Sequence, residues 1–210
     1  MAPQLPFRLD LIKANRYSCI PNASHEWSQE TYSMTLFASR PIMEGEEITI
    51  EYTKLTESRQ TRRSRLFDMY HFHCDCECCN VSPEEVVVSD AARMELAKWS
   101  QRAFRSPVEW CKNLALQDGY LVDGHKRCMA LHEQERLIDK EYAMHAVELA
   151  IVYGMLADAK NFKLWGEKGL EALKTMRAPE AVALQQWLAG PQRNFKLWGM
   201  RNNLKEKARR

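Results

Sequence analysis

The spacing of apolar residues changes once along this chain. Over residues 32–38 (Tyr-Ser-Met-Thr-Leu-Phe-Ala) and 48–52 (Ile-Thr-Ile-Glu-Tyr), β-branched and aromatic side chains partly alternate with polar ones, which predicts two strands. Between them Pro41 and the Glu44-Gly45 pair interrupt any regular element and mark a turn. Residues 3–12 hold two prolines without a period and predict an extended lead-in. Pro21 and Asn22 make residues 16–23 a loop, because proline restricts the residue before it and asparagine favours tight turns. Leu55, Arg59, Arg62, Leu66 and Met69 then recur at helical spacing with no Gly or Pro between them, predicting a helix over 55–70. Pro83 closes the segment that follows.

From Ser89 onward the strand pattern ends and apolar residues recur at 3.6-residue spacing, the signature of helices with one buried face. Ile138, Tyr142, Ala146, Leu149, Tyr153 and Leu156 form one stripe; Phe162, Trp165, Gly169, Leu173 and Met176 form the next. Only Ala157-Asp158-Ala159-Lys160-Asn161 separates them, so the two helices are expected to pack antiparallel. Asn161-Phe162-Lys163-Leu164-Trp165-Gly166 recurs verbatim as Asn194-Phe195-Lys196-Leu197-Trp198-Gly199. That interval is close to the ~34-residue period of tetratricopeptide helix pairs. It suggests a tetratricopeptide-like helical domain whose aromatic residues form its core, with a groove for a protein partner as a secondary idea.

Composition narrows the field of functions. The chain has 210 residues, 45% of them hydrophobic, and a net charge of +2, so it can bury one or two cores and carries no overall basic excess for nucleic acid. Basic runs at 59–65 and 193–210 read as a solvated helix face and a terminus. No stretch approaches the ~20 apolar residues of a membrane span. No secretory signal opens the chain, and seven cysteines is an odd number for a disulfide framework. The expectation is a soluble protein of a reducing compartment, nuclear or cytoplasmic.

Four of those cysteines fall within Cys74-Asp75-Cys76-Glu77-Cys78-Cys79. Cys74, Cys76 and Cys79 put three thiolates within reach of one tetrahedral zinc ion, which takes four nitrogen or sulfur ligands in a structural site. The fourth ligand is open at this point: Cys78, His71 and His73 are the local choices, and Cys19, Cys111 and Cys128 the distant ones. Cys78 is the poorer local choice, since adjacent side chains of an extended segment point to opposite sides. Buried thiols or disulfides are the alternative account of the run.

Three separated segments together resemble the SET-domain protein-lysine methyltransferases, in particular the SET and MYND subgroup and its fungal relatives. Arg16-Tyr17-Ser18-Cys19-Ile20-Pro21-Asn22 resembles their Asn-His-Ser-Cys-x-Pro-Asn segment. Gly45-Glu46-Glu47-Ile48-Thr49-Ile50-Glu51-Tyr52 resembles their Gly-Glu-Glu-hydrophobic tyrosine segment, and Phe72-x-Cys74-x-Cys76-x-x-Cys79 their post-SET zinc motif. The resemblance implies an α+β protein. The C-terminal part of a β-rich SET domain would occupy residues 1–56, a helix and post-SET zinc segment 57–83, and an all-α domain 84–210. It also implies that the first segment threads beside the third, making Cys19 the fourth zinc ligand with Cys74, Cys76 and Cys79.

The activity implied is methyl transfer from S-adenosylmethionine to a lysine of a protein substrate, histone or non-histone. By resemblance Tyr52 and Tyr70 would form the catalytic lysine channel, with Arg16, Tyr17, Tyr52 and Phe72 on the cofactor. Without it Tyr52 would read as an ordinary strand residue. Two departures stand against activity. Arg16-Tyr17 replaces the family's Asn-His, and a cation beside a sulfonium is repelled by about 4 kcal/mol at 4 Å and an effective dielectric near 20. No Gly-x-Gly strand precedes residue 16, and no MYND zinc module is present in the sequence. These departures add the expectation of a truncated enzyme, inactive alone, and a rival reading as a non-catalytic, zinc-stapled helical protein-interaction module.

Overall fold

The computed structural model describes residues 16–101, 106–176 and 178–210, and these divide into two units. The first comprises the described residues up to Met94 together with Glu135–Leu137; the second comprises Glu95–Gln134 and Ile138–Arg210. The lead-in expected over 3–12 lies outside the described residues.

The first unit holds four strands. β1 (Arg16–Tyr17) pairs in parallel with β4 (Thr49–Ile50), in the register Arg16 with Thr49 and Tyr17 with Ile50. β2 (Ala23–Ser28) and β3 (Ser33–Ala38) form an antiparallel hairpin, Ala23 opposite Ala38 and Ser28 opposite Ser33. The expected strand over 32–38 is therefore present, and that over 48–52 shortens to two residues. β2 falls partly in the segment read as loop, because Ala-Ser-His-Glu-Trp-Ser carries too few apolar residues to show alternation. Asn22 does more than turn the chain. Buried at 2% exposure, its Nδ2 donates to the Glu47 carbonyl at 2.8 Å and to Glu46 Oε1 at 3.0 Å, while its Oδ1 accepts from the Thr49 amide at 2.8 Å. One amide side chain thus fastens the loop after β1 to the segment before β4.

α1 (Arg59–Tyr70) starts later than the expected residue 55, at Ser58, whose hydroxyl accepts from the Thr61 amide at 3.2 Å. It ends at His71, which takes a left-handed conformation (φ 59°). α2 (Pro83–Trp99) begins at the proline taken as a closing residue. Ser82 and Glu85 form a capping box, each side chain accepting the other's amide (3.3 and 2.9 Å), and proline suits the first helical turn because no amide is needed there. α2 carries the chain from the first unit into the second.

The second unit is helical: α3 (Pro107–Lys112), α4 (Gly119–Gln134), α5 (Lys140–Met155), α6 (Ala159–Thr175), α7 (Glu180–Ala189), α8 (Pro191–Asn194) and α9 (Met200–Ala208). α5 and α6 run antiparallel, as Gly154 lies against Phe162 while Gly169 lies against Val147. From the two stripes, Tyr142, Ala146, Leu149, Tyr153, Phe162, Gly169 and Leu173 are buried. The repeated hexapeptide does not mark a structural repeat. Its first copy is a turn of α6, whereas its second runs from the end of α8 through a turn to Gly199, whose φ is 68°. The two copies instead meet: Phe162 packs on Phe195 and Trp198, each with centroids 5.5 Å apart.

Candidate functional site

The site of interest lies in the first unit, where Tyr17, Cys19, Leu66, Cys74 and Cys79 form a buried cluster with Tyr52, Phe72, Cys76 and Cys78 packed against it. The loop after β1 delivers Cys19, and a tight turn delivers the others: the amides of Cys79 and Asn80 both donate to the Cys76 carbonyl (2.8 and 2.9 Å). The turn folds the chain back so that Cys74, Cys76 and Cys79 converge. With Cys19 their sulfur atoms all lie within 4.8 Å of one another, and Cys19 and Cys79 are 3.5 Å apart.

A tetrahedron with metal–sulfur arms of ~2.3 Å has edges of ~3.8 Å, so this donor set fits a zinc ion. Hydrogen bonds with Cys19 act unevenly on the other thiols, pushing Cys74 up and pulling Cys76 and Cys79 down from their ordinary values. A shared divalent cation would remove that conflict by favouring all four thiolates. Cys78 is not in the group. Neither are His71, the left-handed cap of α1, or His73, which stacks on Phe67 at 4.8 Å; Cys111 and Cys128 are buried in the helical unit.

An aromatic run borders the cysteines. Tyr70, Tyr52, Tyr17 and Phe72 are linked by ring-centroid distances of 5.0, 5.5 and 6.0 Å in that order. Tyr52 is half-buried and Tyr70 is 44% exposed, so the run leads inward from the surface. Burial first, and then the neighbouring Tyr70, raises the phenol pKa of Tyr52, which keeps it a neutral hydroxyl. The hydroxyl of Tyr17 points at the cysteines, 3.2 Å from Cys19 Sγ and 3.0 Å from Thr53 Oγ1, and burial raises its pKa as well. Arg16 stands apart from the aromatic run, with its side chain 78% exposed and paired with Glu47 at 3.3 Å.

Sequence reasoning passed over two residues here, Arg62 and Arg93, both without exposed surface. Arg62 Nε donates to Cys19 Sγ at 3.2 Å, and Arg93 donates to Cys78 Sγ at 3.2 Å and to Glu135 Oε2 at 2.9 Å. Burial works against the charge of Arg62, but the neighbouring Cys19 and then Cys78 more than reverse it and raise the guanidinium pKa. One signal was available for Arg62, which occupies a position in the apolar stripe of its helix. Arg93 offered none.

Comparison with known proteins bears on this geometry. Residues 10–53 match the family model "SET domain". The histone-lysine N-methyltransferase set5 of Schizosaccharomyces pombe is 25% identical over 187 residues, covering 88% of this chain and 57% of that protein. A SET and MYND domain-containing protein of Dictyostelium discoideum is 41% identical over 63 residues, 30% of this chain and 18% of its own length. The N-lysine methyltransferase SMYD2 of Homo sapiens is 31% identical over 105 residues, 47% of this chain and 22% of the human protein. The chain thus spans little more than half of the yeast relative and less than a quarter of the other two.

Proposed function

Given that the chain carries SET-domain sequence and is similar over most of its length to a histone-lysine N-methyltransferase, we propose that it takes part in methyl transfer from S-adenosylmethionine to a lysine of a histone or other protein. The observation that carries this reading is the aromatic run from Tyr70 to Phe72, packed against four convergent cysteines. S-adenosylmethionine supplies the methyl group on a sulfonium cation. The residues of this chain must receive the lysine, remove water from it and keep its amine uncharged. A free lysine has a pKa of ~10.4, and desolvation between tyrosine rings favours the neutral form. Tyr70, at the exposed end, forms the entrance; the neutral hydroxyl of Tyr52 orients the amine; the faces of Tyr52 and Phe72 suit a cationic neighbour. Cys19, Cys74, Cys76 and Cys79 hold one zinc ion in a structural role, tying the loop after β1 to the turn that follows α1.

Titration calorimetry of the 210-residue chain with S-adenosylmethionine tests the proposal. Heat of binding is expected, and Tyr52→Phe should retain it while lowering lysine methylation by about 100-fold. No heat at high micromolar cofactor would remove the catalytic reading.

A second reading has its own observation. The hydroxyl of Tyr17 is committed to Cys19 and Thr53, and Arg16 turns out to Glu47, so in this arrangement neither offers a polar group to a cofactor. The protein would then be a zinc-stapled interaction module, its helical unit receiving a protein partner. Metal binding without cofactor heat is its signature. Either reading needs reduced thiols, which fits a nuclear or cytoplasmic setting.

A further inference from the structure

Among the described residues three arginines have no exposed surface: Arg62, Arg93 and Arg201. A buried guanidinium needs a counter-charge and acceptors for its N–H groups, because both its hydration and its screening are lost. Arg201 meets Asp118 at 2.8 Å, and Arg93 meets Glu135 at 2.9 Å. Arg62 differs from both. Among the described residues no carboxylate lies within 4.0 Å of it, and the carboxylate of nearby Glu57 is paired with Arg65 at 3.0 Å. Its acceptors are the Glu57 carbonyl, Cys19 Sγ at 3.2 Å and Cys78 Sγ at 3.6 Å. Arg93 reaches the same Cys78 sulfur at 3.2 Å and the Cys19 carbonyl at 3.3 Å.

We infer that Arg62 and Arg93 are the outer-sphere partners of the four-cysteine centre, with Arg62 supplying the positive charge and N–H group that hold the Cys19 sulfur and Cys78 joining the two guanidiniums outside the metal-binding set. The inference rests on the reading of the centre as a zinc site. Four thiolates exceed the charge of one divalent cation by two, and Arg93 is already matched by Glu135. Among the described residues Arg62 is therefore the cation left to offset the centre. Such outer contacts orient first-sphere ligands and tune their donor strength. They also give Arg62 a positioning role. It sits on α1, and Tyr70 ends that helix about 12 Å further along its axis at 1.5 Å per residue. The Arg62–Cys19 contact thus fixes α1, and through it Tyr70, to the metal centre.

Zinc competition against a chromophoric chelator and cobalt(II) absorption spectra test this on the full chain and its Arg62→Met and Arg62→Lys variants. The unaltered chain should bind one metal ion. Arg62→Met should lose about 10- to 100-fold in affinity and shift the thiolate-to-cobalt charge-transfer band. Arg62→Lys, which keeps the charge but loses the fork to Cys78, should hold affinity within about threefold with a shifted band. Equal affinity and spectrum in Arg62→Met would overturn the inference while leaving the zinc site standing, as would an equal loss in both variants. A chain that binds neither metal would overturn both. Where Arg62→Met does not fold, Arg62→Lys decides: an unshifted band or a large loss of affinity counts against the inference.

Discussion

In the helical unit Arg201 lies 4.1 Å from the ring of Trp110, pairs with Asp118, and donates to backbone carbonyls of Trp110, Cys111, Asn113 and Leu116. In the SET-like unit Arg62 has one carbonyl and two sulfurs. The acceptors of Arg201 come from the chain itself, and elsewhere in the same unit stands an apolar core running through Ala143, Val147, Leu173 and Leu184. Of the acceptors of Arg62, the Cys19 sulfur would gain full charge when a metal binds the four-cysteine group. Its surroundings contain little else to bury, since three of the five buried residues in that cluster are cysteines. One unit is held by packing that needs no ligand. The other, on the proposed reading of its four cysteines, depends on a centre that does.

Removing the metal should give the largest difference between the two. Apparent zinc-binding free energies of ~10–16 kcal/mol in small peptides imply that a strong chelator costs the first unit its fold. Amide exchange should show protection lost over 16–94 and retained over 140–175; equal loss in both would break the comparison. Arg201→Met should reverse the pattern, costing the helical unit about 3–5 kcal/mol, the usual result of removing one member of a buried ion pair. Chemical denaturation should find a lower midpoint for the helical signal and unchanged metal content. A smaller effect is expected from Asn22→Ala, which strands the Thr49 amide and the Glu47 carbonyl, at about 1–3 kcal/mol. It should appear as faster exchange at Thr49 with the helical unit untouched.

The smallest effect concerns acid. Glu46 has its carboxyl pulled down to about 2, chiefly by Arg40, then by the Met43 amide and the amide of Asn22. A depressed carboxyl stabilises the fold above its unfolded value, and that contribution is lost only as pH falls through the folded one. Carboxyl-resolved NMR should therefore show Glu46 still ionised at pH 4. A midpoint near the usual carboxylate range would show that the Arg40–Glu46–Asn22 link does not persist in solution.

Parts of this were legible in one dimension. The stripe Tyr142, Ala146, Leu149, Tyr153 predicted the buried face of α5, because helical periodicity is a local property that the chain writes directly. The strand at 33–38 was visible for the same reason. β2 was not, since a short hairpin strand with an exposed Trp27 and Glu26 shows no apolar alternation. The start of α2 was available in Ser82-Pro83-Glu84-Glu85 and was missed by treating Pro83 as a stop. Three motifs read together gave the expectation of a channel of Tyr52 and Tyr70 with Arg16, Tyr17 and Phe72 on the cofactor; in the structure ring contacts link Tyr70, Tyr52, Tyr17 and Phe72, and Arg16 pairs with Glu47.

The two copies of Asn-Phe-Lys-Leu-Trp-Gly mark the boundary between the two kinds of knowledge. Their identity was plain in the sequence, yet one is helix and the other a turn. The first lies between helix-forming residues with Gly166 against Leu188; the second follows Gly190-Pro191 and ends at Gly199 in the left-handed region. By itself the sequence determined which segments are helical by period and that Cys74, Cys76 and Cys79 lie close enough to share an ion. The approach of Cys19 to them was implied by resemblance to a family and not by local spacing, and only the tertiary structure decided that Cys78 faces two guanidiniums and that Arg62 takes sulfur without a carboxylate where Arg93 and Arg201 each meet one. Charge compensation is settled by neighbours distant along the chain, and local spacing carries no record of them.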